Sequence, residues 1–228
     1  MEQIIIIGLI FIAMTLIGFA FKINKKQSSN LAENKELEEL TNKFPDNITI
    51  AKEMLEMLKN DKVKVEELKT GDTSLYVALT NKILIANIKN NYSRIYTIAH
   101  ECMHSVQDRR LLLFNFIFSN IILIFWIISV ILTLLNKINN IYIIISAMLI
   151  MALVKLAVRG YLETDAMLKA RYFSEKYIEK KAIITNKEKD QLVLSYEEIN
   201  KIGIPFSIAH IITGSLIGIL AYTLISII

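Results

Sequence analysis

The 228-residue chain carries a single cysteine, Cys102, so no intramolecular disulfide can form and nothing points to an oxidising compartment. It has only two prolines and seven glycines, and no internal repeat or low-complexity tract, which argues against repeat architectures and Pro/Gly-rich disorder. The net charge is +4, yet the basic residues form no stripe with interleaved aromatics, which argues against nucleic acid as a partner. The apolar stretches also lack paired acidic residues facing one another, as a metal transporter would need. Histidines number three.

What is abundant is apolar sequence, and its distribution decides the class. Hydrophobic residues make up 54% of the chain and the mean hydropathy is +0.44. They cluster in four blocks: Ile4–Phe21, Leu111–Leu135, about Ile141–Val158, and Pro205–Ile228. Each is about long enough to cross a bilayer core. The first is expected to be an uncleaved anchor, because it follows Met1-Glu2-Gln3 rather than a basic start, and Lys22, Lys25 and Lys26 come after it. Only Asn136 to Asn140 separate the second and third blocks, so these must be antiparallel neighbours. In the fourth, Gly214 and Gly218 form a G-x-x-x-G pair that would suit close helix packing. His210, in the same block, reads as a neutral histidine hydrogen-bonded between helices.

The expected organisation is an anchor over 1–21, a soluble segment over 22–110, a transmembrane hairpin over 111–158, a second soluble segment over 159–204, and a last span over 205–228. Lys22, Lys25, Lys26, Arg94, Arg109, Arg110, Arg159, Lys169, Arg171 and Lys201 fall on one side of the spans, and Lys137 on the other. The positive-inside rule predicts a multi-pass cell-membrane protein with both soluble segments in the cytoplasm. Within these, residues 22–35 read as a polar tether and Asn47–Asn60 as a helix with Ile50, Met54, Met57 and Leu58 on one face. Leu75–Leu79 and Ile83–Ile88 read as strands joined at Thr80-Asn81. Helices are expected over Tyr92–Asp108 and about Arg159–Lys180, and a capping box at Thr185/Glu188 opens another toward Asn200. The fold class predicted is α+β, mostly helical: four transmembrane helices with a small zincin-like α/β cytoplasmic core.

The chemistry is carried by His100-Glu101-Cys102-Met103-His104, an H-E-x-x-H sequence. Residues four apart share a helix face, so both imidazoles can reach one zinc ion. Glu101 lies about 100° round the helix, where its carboxylate can act on a water activated at the metal. Cys102 should face the core as a small hydrophobe. Zinc sites of this kind need a third protein ligand. Glu163 is the leading candidate, because the hairpin returns the chain to the side it left. Asp165 could orient a ligating histidine or exchange roles with Glu163. Asp108, one turn past His104, is an alternative ligand or a helix-end residue.

These stretches resemble the small bacterial membrane-anchored neutral zinc metallopeptidases. The resemblance rests on Thr80-Asn81-Lys82-Ile83-Leu84, on Ala99-His100-Glu101 with His104, Gln107 and Asp108, on Glu163-x-Asp165-Ala166, and on the order of elements. The chain departs from that pattern at Met103, where the family has glycine. The resemblance implies a bacterial protein with one zinc ion on His100, His104 and Glu163, and Glu101 as the catalytic base. It also implies a strand beside the cleft that pairs with substrate backbone, here Ile83–Ile88 with Ile85, Ala86 and Asn87. The expected function is hydrolysis of peptide or membrane-protein substrates at the bilayer surface. The alternatives are an intramembrane protease and a non-catalytic membrane scaffold that keeps a structural zinc.

Overall fold

The computed structural model describes residues 2–21, 34–69, 71 and 73–227. Lys22, Lys25 and Lys26 therefore lie outside the described residues, as does the expected tether up to residue 33. In chain order the elements are α1 (Glu2–Ala20), α2 (Lys35–Asn42), α3 (Asn47–Met57), β1 (Lys64–Glu67), β2 (Leu75–Val77), β3 (Lys82–Ile85), α4 (Arg94–Ser105), α5 (Arg109–Leu134), α6 (Ile141–Lys181) and α7 (Asn186–Ile225). The protein is mostly helical with one small sheet. The chain divides into two compact units: Met1–Ile23, Phe114–Tyr161 and Pro205–Ile228 form one, and Asn24–Leu113 with Leu162–Ile204 the other.

The first unit contains the apolar stretches of α1, α5, α6 and α7, four helices long and apolar enough to cross a membrane. Large apolar side chains such as Phe19, Leu153 and Ile143 stay exposed along them, as helices facing lipid rather than water do. A small internal cluster of Ile10, Ile145, Met148, Ile219 and Tyr222 holds the unit together.

The second unit has a conventional core. On α4, Ile95, Ile98, Ala99 and Cys102 are fully buried at helical spacing. They share one core with Ile50, Ala51 and Met54 of α3 and Ile83 and Ile85 of β3. Each such isoleucine contributes about 1.5–3 kcal/mol by leaving water. Leu162, Ala166, Ala170, Phe173 and Tyr177 form the buried face of α6, where the two alanines allow close approach. Arg94, at the start of α4, is buried too. Its guanidinium donates to the carbonyls of Thr41, Phe44 and Pro45 and to Asn47 Oδ1, tying the α2–α3 turn to α4.

Several expectations need correction. Lys35–Asn42 is a helix, capped by Asn34, whose side chain accepts from Leu37 N at 3.2 Å. β1 is an additional strand, and it inserts parallel to β3 to give the order β1-β3-β2. The hairpin at Thr80-Asn81 is present, with Asn81 in the left-handed region at φ 50°. The helix expected from Arg159 does not start there, because α6 runs unbroken from the third span through Lys181. The capping box forms reciprocally, Thr185 N to Glu188 Oε2 at 2.7 Å and Glu188 N to Thr185 Oγ1 at 3.3 Å. The helix it opens continues through Pro205 into the last span. His210 is exposed and stacks on Phe206 instead of bonding between helices.

Candidate metal centre

α4 and α6 bring three side chains together. His100 and His104, four apart on α4, turn their Nε2 atoms toward each other at 3.0 Å. Glu163, one residue past the buried Leu162 on α6, places Oε2 3.6 Å from the first and 3.7 Å from the second. The three form a group that could hold a metal ion. A circle through those atoms has a radius of about 2.0 Å, which is the length of a zinc–nitrogen or zinc–carboxylate bond. The donor set therefore fits a single ion without rearrangement.

Hydrogen bonding fixes which way the lone pairs point. Gln107 Nε2 donates to Leu162 O at 2.8 Å and to Asp165 Oδ2 at 3.0 Å. Its amide oxygen is thereby turned to His104 Nδ1, 2.8 Å away. An amide oxygen only accepts, so Nδ1 of His104 carries the proton and Nε2 presents its lone pair to the other ligands. Asp165 is held in turn by Lys169 at 2.7 Å. His100 Nδ1 is buried with no hydrogen-bond partner among the described residues. Two imidazoles with nitrogens head to head at 3.0 Å need either a shared proton or a cation between them.

The electrostatics favour a positive charge at that point. Burial opposes ionisation of Glu163, but hydrogen bonds and charge from His100 and His104 hold its carboxyl far below the ordinary range. Burial likewise works against the charged form of His104, and Glu163 and Glu101 more than offset it, raising the imidazole. Glu101 sits on the same helix, only 6% exposed. Burial pushes its carboxyl up, opposed by His100, His104 and a hydrogen bond from the Tyr76 backbone amide. That amide belongs to β2, so β2 is the strand that flanks the centre.

The strand expected to pair with substrate is β3. β3 lies in the middle of the sheet, paired with β1 from Lys82 to Ile85 and with β2 from Lys82 to Leu84. Ile85 O accepts from Leu68 N, and Ala86 N donates to Ser74 Oγ. Ile85 and Ala86 thus have their backbone groups engaged, and Asn87 lies beyond the strand. The open edge next to the centre is that of β2.

Asp165 touches neither histidine and acts through Gln107. Asp108 stands apart from the three ligand atoms, its carboxylate accepting from Arg110 N at the start of α5. Cys102 is fully buried on the opposite face, and burial raises its thiol well above the ordinary value. Gln107 was visible only as part of a motif, because its role depends on a side-chain orientation that spacing does not encode.

No protein-family model, curated protein or solved structure matches this chain.

Proposed function

We propose that the protein is a zinc-dependent peptidase of a cell membrane, with a zincin-like core. The observation that carries this reading is the convergence of His100 Nε2, His104 Nε2 and Glu163 Oε2 on one ion-sized point, with the buried carboxylate of Glu101 beside it. His100, His104 and Glu163 would hold the ion. Bound there, zinc would supply Lewis acidity, polarising a substrate carbonyl and acidifying a water. Glu101 takes the proton of the attacking water on its carboxylate and delivers it to the leaving amine. Gln107 holds the His104 ring, and Asp165 holds Gln107. An extended substrate would lie along β2.

The chain's connectivity suggests where substrates come from. Only Val106, Gln107 and Asp108 separate α4 from α5, which continues into a span, and Glu163 sits on the helix of the third span. A centre so close in sequence to two spans suits membrane proteins or their near-membrane segments. The Lys and Arg distribution favours the cytoplasmic side for it. The intramembrane alternative is disfavoured because α4 is not one of the helices apolar enough to span. A purely structural zinc site has no use for a buried carboxylate at Glu101, which burial alone disfavours.

Two carboxamide substitutions in purified full-length protein test the reading. Glu101→Gln should retain stoichiometric zinc and lose hydrolysis of a peptide substrate by roughly 10²–10⁴-fold. Glu163→Gln should lose both zinc and activity, because a charged ligand becomes neutral. Full activity in Glu101→Gln, or full zinc occupancy in Glu163→Gln, would refute the assignment of that residue.

A further inference from the structure

The membrane-spanning unit contains a cavity of about 260 Å³ bounded by α5, α6 and α7. Its lining is apolar except for Ser119, Ser215 and one charged group, Lys155. The hairpin register orders the walls by depth. Ser119 on α5 and Lys155 on α6 lie at one level; Trp126 and Met148 lie seven residues further in on the same helices, about 10 Å deeper. The cavity thus has an ammonium group at one end and an indole at the other. The deep end is dry in character, since the Trp126 N–H is already satisfied by Gly218 O at 2.8 Å.

The glycines of α7 create this space rather than close it. A Cβ at Gly214 would meet nothing within 4 Å, and one at Gly218 would meet only Trp126 Nε1 at 4.0 Å. The G-x-x-x-G pair is therefore not a tight helix contact here.

Lys155 has no anionic partner from its own unit. Across the three segments that build the unit, Glu2 is the sole acidic residue. Its carboxylate is taken by Tyr142 OH, thirteen residues or about 20 Å from Lys155 along α6. The charge that does act on Lys155 is another cation, Arg159. An ammonium group near the end of an apolar span either snorkels to interfacial water or takes a counter-charge, and a counter-charge for Lys155 would come from outside the unit. A ligand with one anionic group and a hydrocarbon tail satisfies both ends of the cavity.

We propose that this cavity is a binding site for an anionic phospholipid, with its phosphate on Lys155 and one acyl chain running between the helices to Trp126. Ser119, at the level of Lys155, is placed to donate to the headgroup or glycerol oxygens, whereas the Ser215 hydroxyl already donates to Ile211 O at 3.0 Å.

Trp126 is the only tryptophan in the chain, so its fluorescence reports on this cavity alone. The full-length protein is reconstituted into phosphatidylcholine vesicles doped at equal mole fraction with acyl-brominated phosphatidylglycerol or acyl-brominated phosphatidylcholine. The brominated phosphatidylglycerol should quench Trp126 more strongly, with a headgroup preference of about fivefold in local occupancy. Lys155→Met should abolish that preference while leaving quenching by the brominated phosphatidylcholine unchanged. Gly214→Leu, which fills open space, should reduce quenching by both. Equal quenching by the two headgroups in the unmodified protein would overturn the proposal, as would a preference that survives Lys155→Met. The first result would mean that the cavity takes bulk lipid without selection, and the second that another cation, not Lys155, selects the headgroup.

Discussion

Replacing Gln107 with leucine separates the ligands from the frame that aims them. Gln107 makes three contacts: it accepts from His104 Nδ1 at 2.8 Å, and it donates to Leu162 O at 2.8 Å and to Asp165 Oδ2 at 3.0 Å. Leucine has nearly the same volume and removes all three. Only the first bears directly on a ligand, where a hydrogen bond to the distal nitrogen fixes the tautomer and the ring plane. Losing such a partner costs about 10–100-fold in metal affinity, or about 1.4–2.7 kcal/mol. The bonds to Leu162 and Asp165 are worth about 1 kcal/mol each to the joining of α4 and α6, so the thermal midpoint should fall as well. Gln107→Glu distinguishes aim from packing. Its carboxylate still accepts from His104 Nδ1, so zinc affinity should stay near that of the unmodified protein. It cannot donate to Asp165, so the thermal midpoint should drop alone. Competition against a zinc-chelating indicator, run beside a thermal melt of the same samples, reads both quantities. Unchanged zinc affinity in Gln107→Leu, with the fold intact, would refute the claim that this amide orients His104.

Arg94→Met should destabilise the protein by at least about 3 kcal/mol, because four acceptors, three of them in buried hydrogen bonds, lose a charged donor at once; an unchanged unfolding midpoint would refute this. A cysteine at the exposed Lys62, in a Cys102→Ala background, should resist membrane-impermeant thiol reagents in intact cells if the second unit is cytoplasmic. Ready labelling would reverse the orientation.

The parts of this architecture that were legible in the sequence are those set by local periodicity. Hydropathy marked the four helices long and apolar enough to span a membrane, and spacing put His100 and His104 on one face of a helix. The Thr80-Asn81 turn marked the hairpin, and Thr185 with Glu188 marked the start of α7. What was hidden depends on distant partners. β1 reads Lys-Val-Glu-Glu, with three charges in four residues, and only pairing with β3 makes it a strand. That same pairing puts β3 at the centre of the sheet and β2 on the edge, an order that no local pattern of Ile83–Ile88 could announce. α2 is short and largely charged, but Leu37, Leu40 and Phe44 at helical spacing were a usable signal. Pro205 marked a break that does not occur, because a helix can continue past a proline at the loss of one hydrogen bond. Gln107 lay within the motif, yet its part in the centre rests on a rotamer and on Asp165 across the cleft.

The separation of the ligands along the chain has a consequence for biogenesis. His100 and His104 leave the ribosome well before Glu163, and the whole of the α5–α6 hairpin lies between them. Until that hairpin is threaded into the bilayer, the growing chain has two imidazoles and no third donor, which is too few to retain the ion. If the chain is the peptidase proposed above, a centre that has yet to load metal cannot cut its neighbours at the translocon, nor the chain it belongs to. Completion of the three-residue group thus waits on synthesis of the whole hairpin.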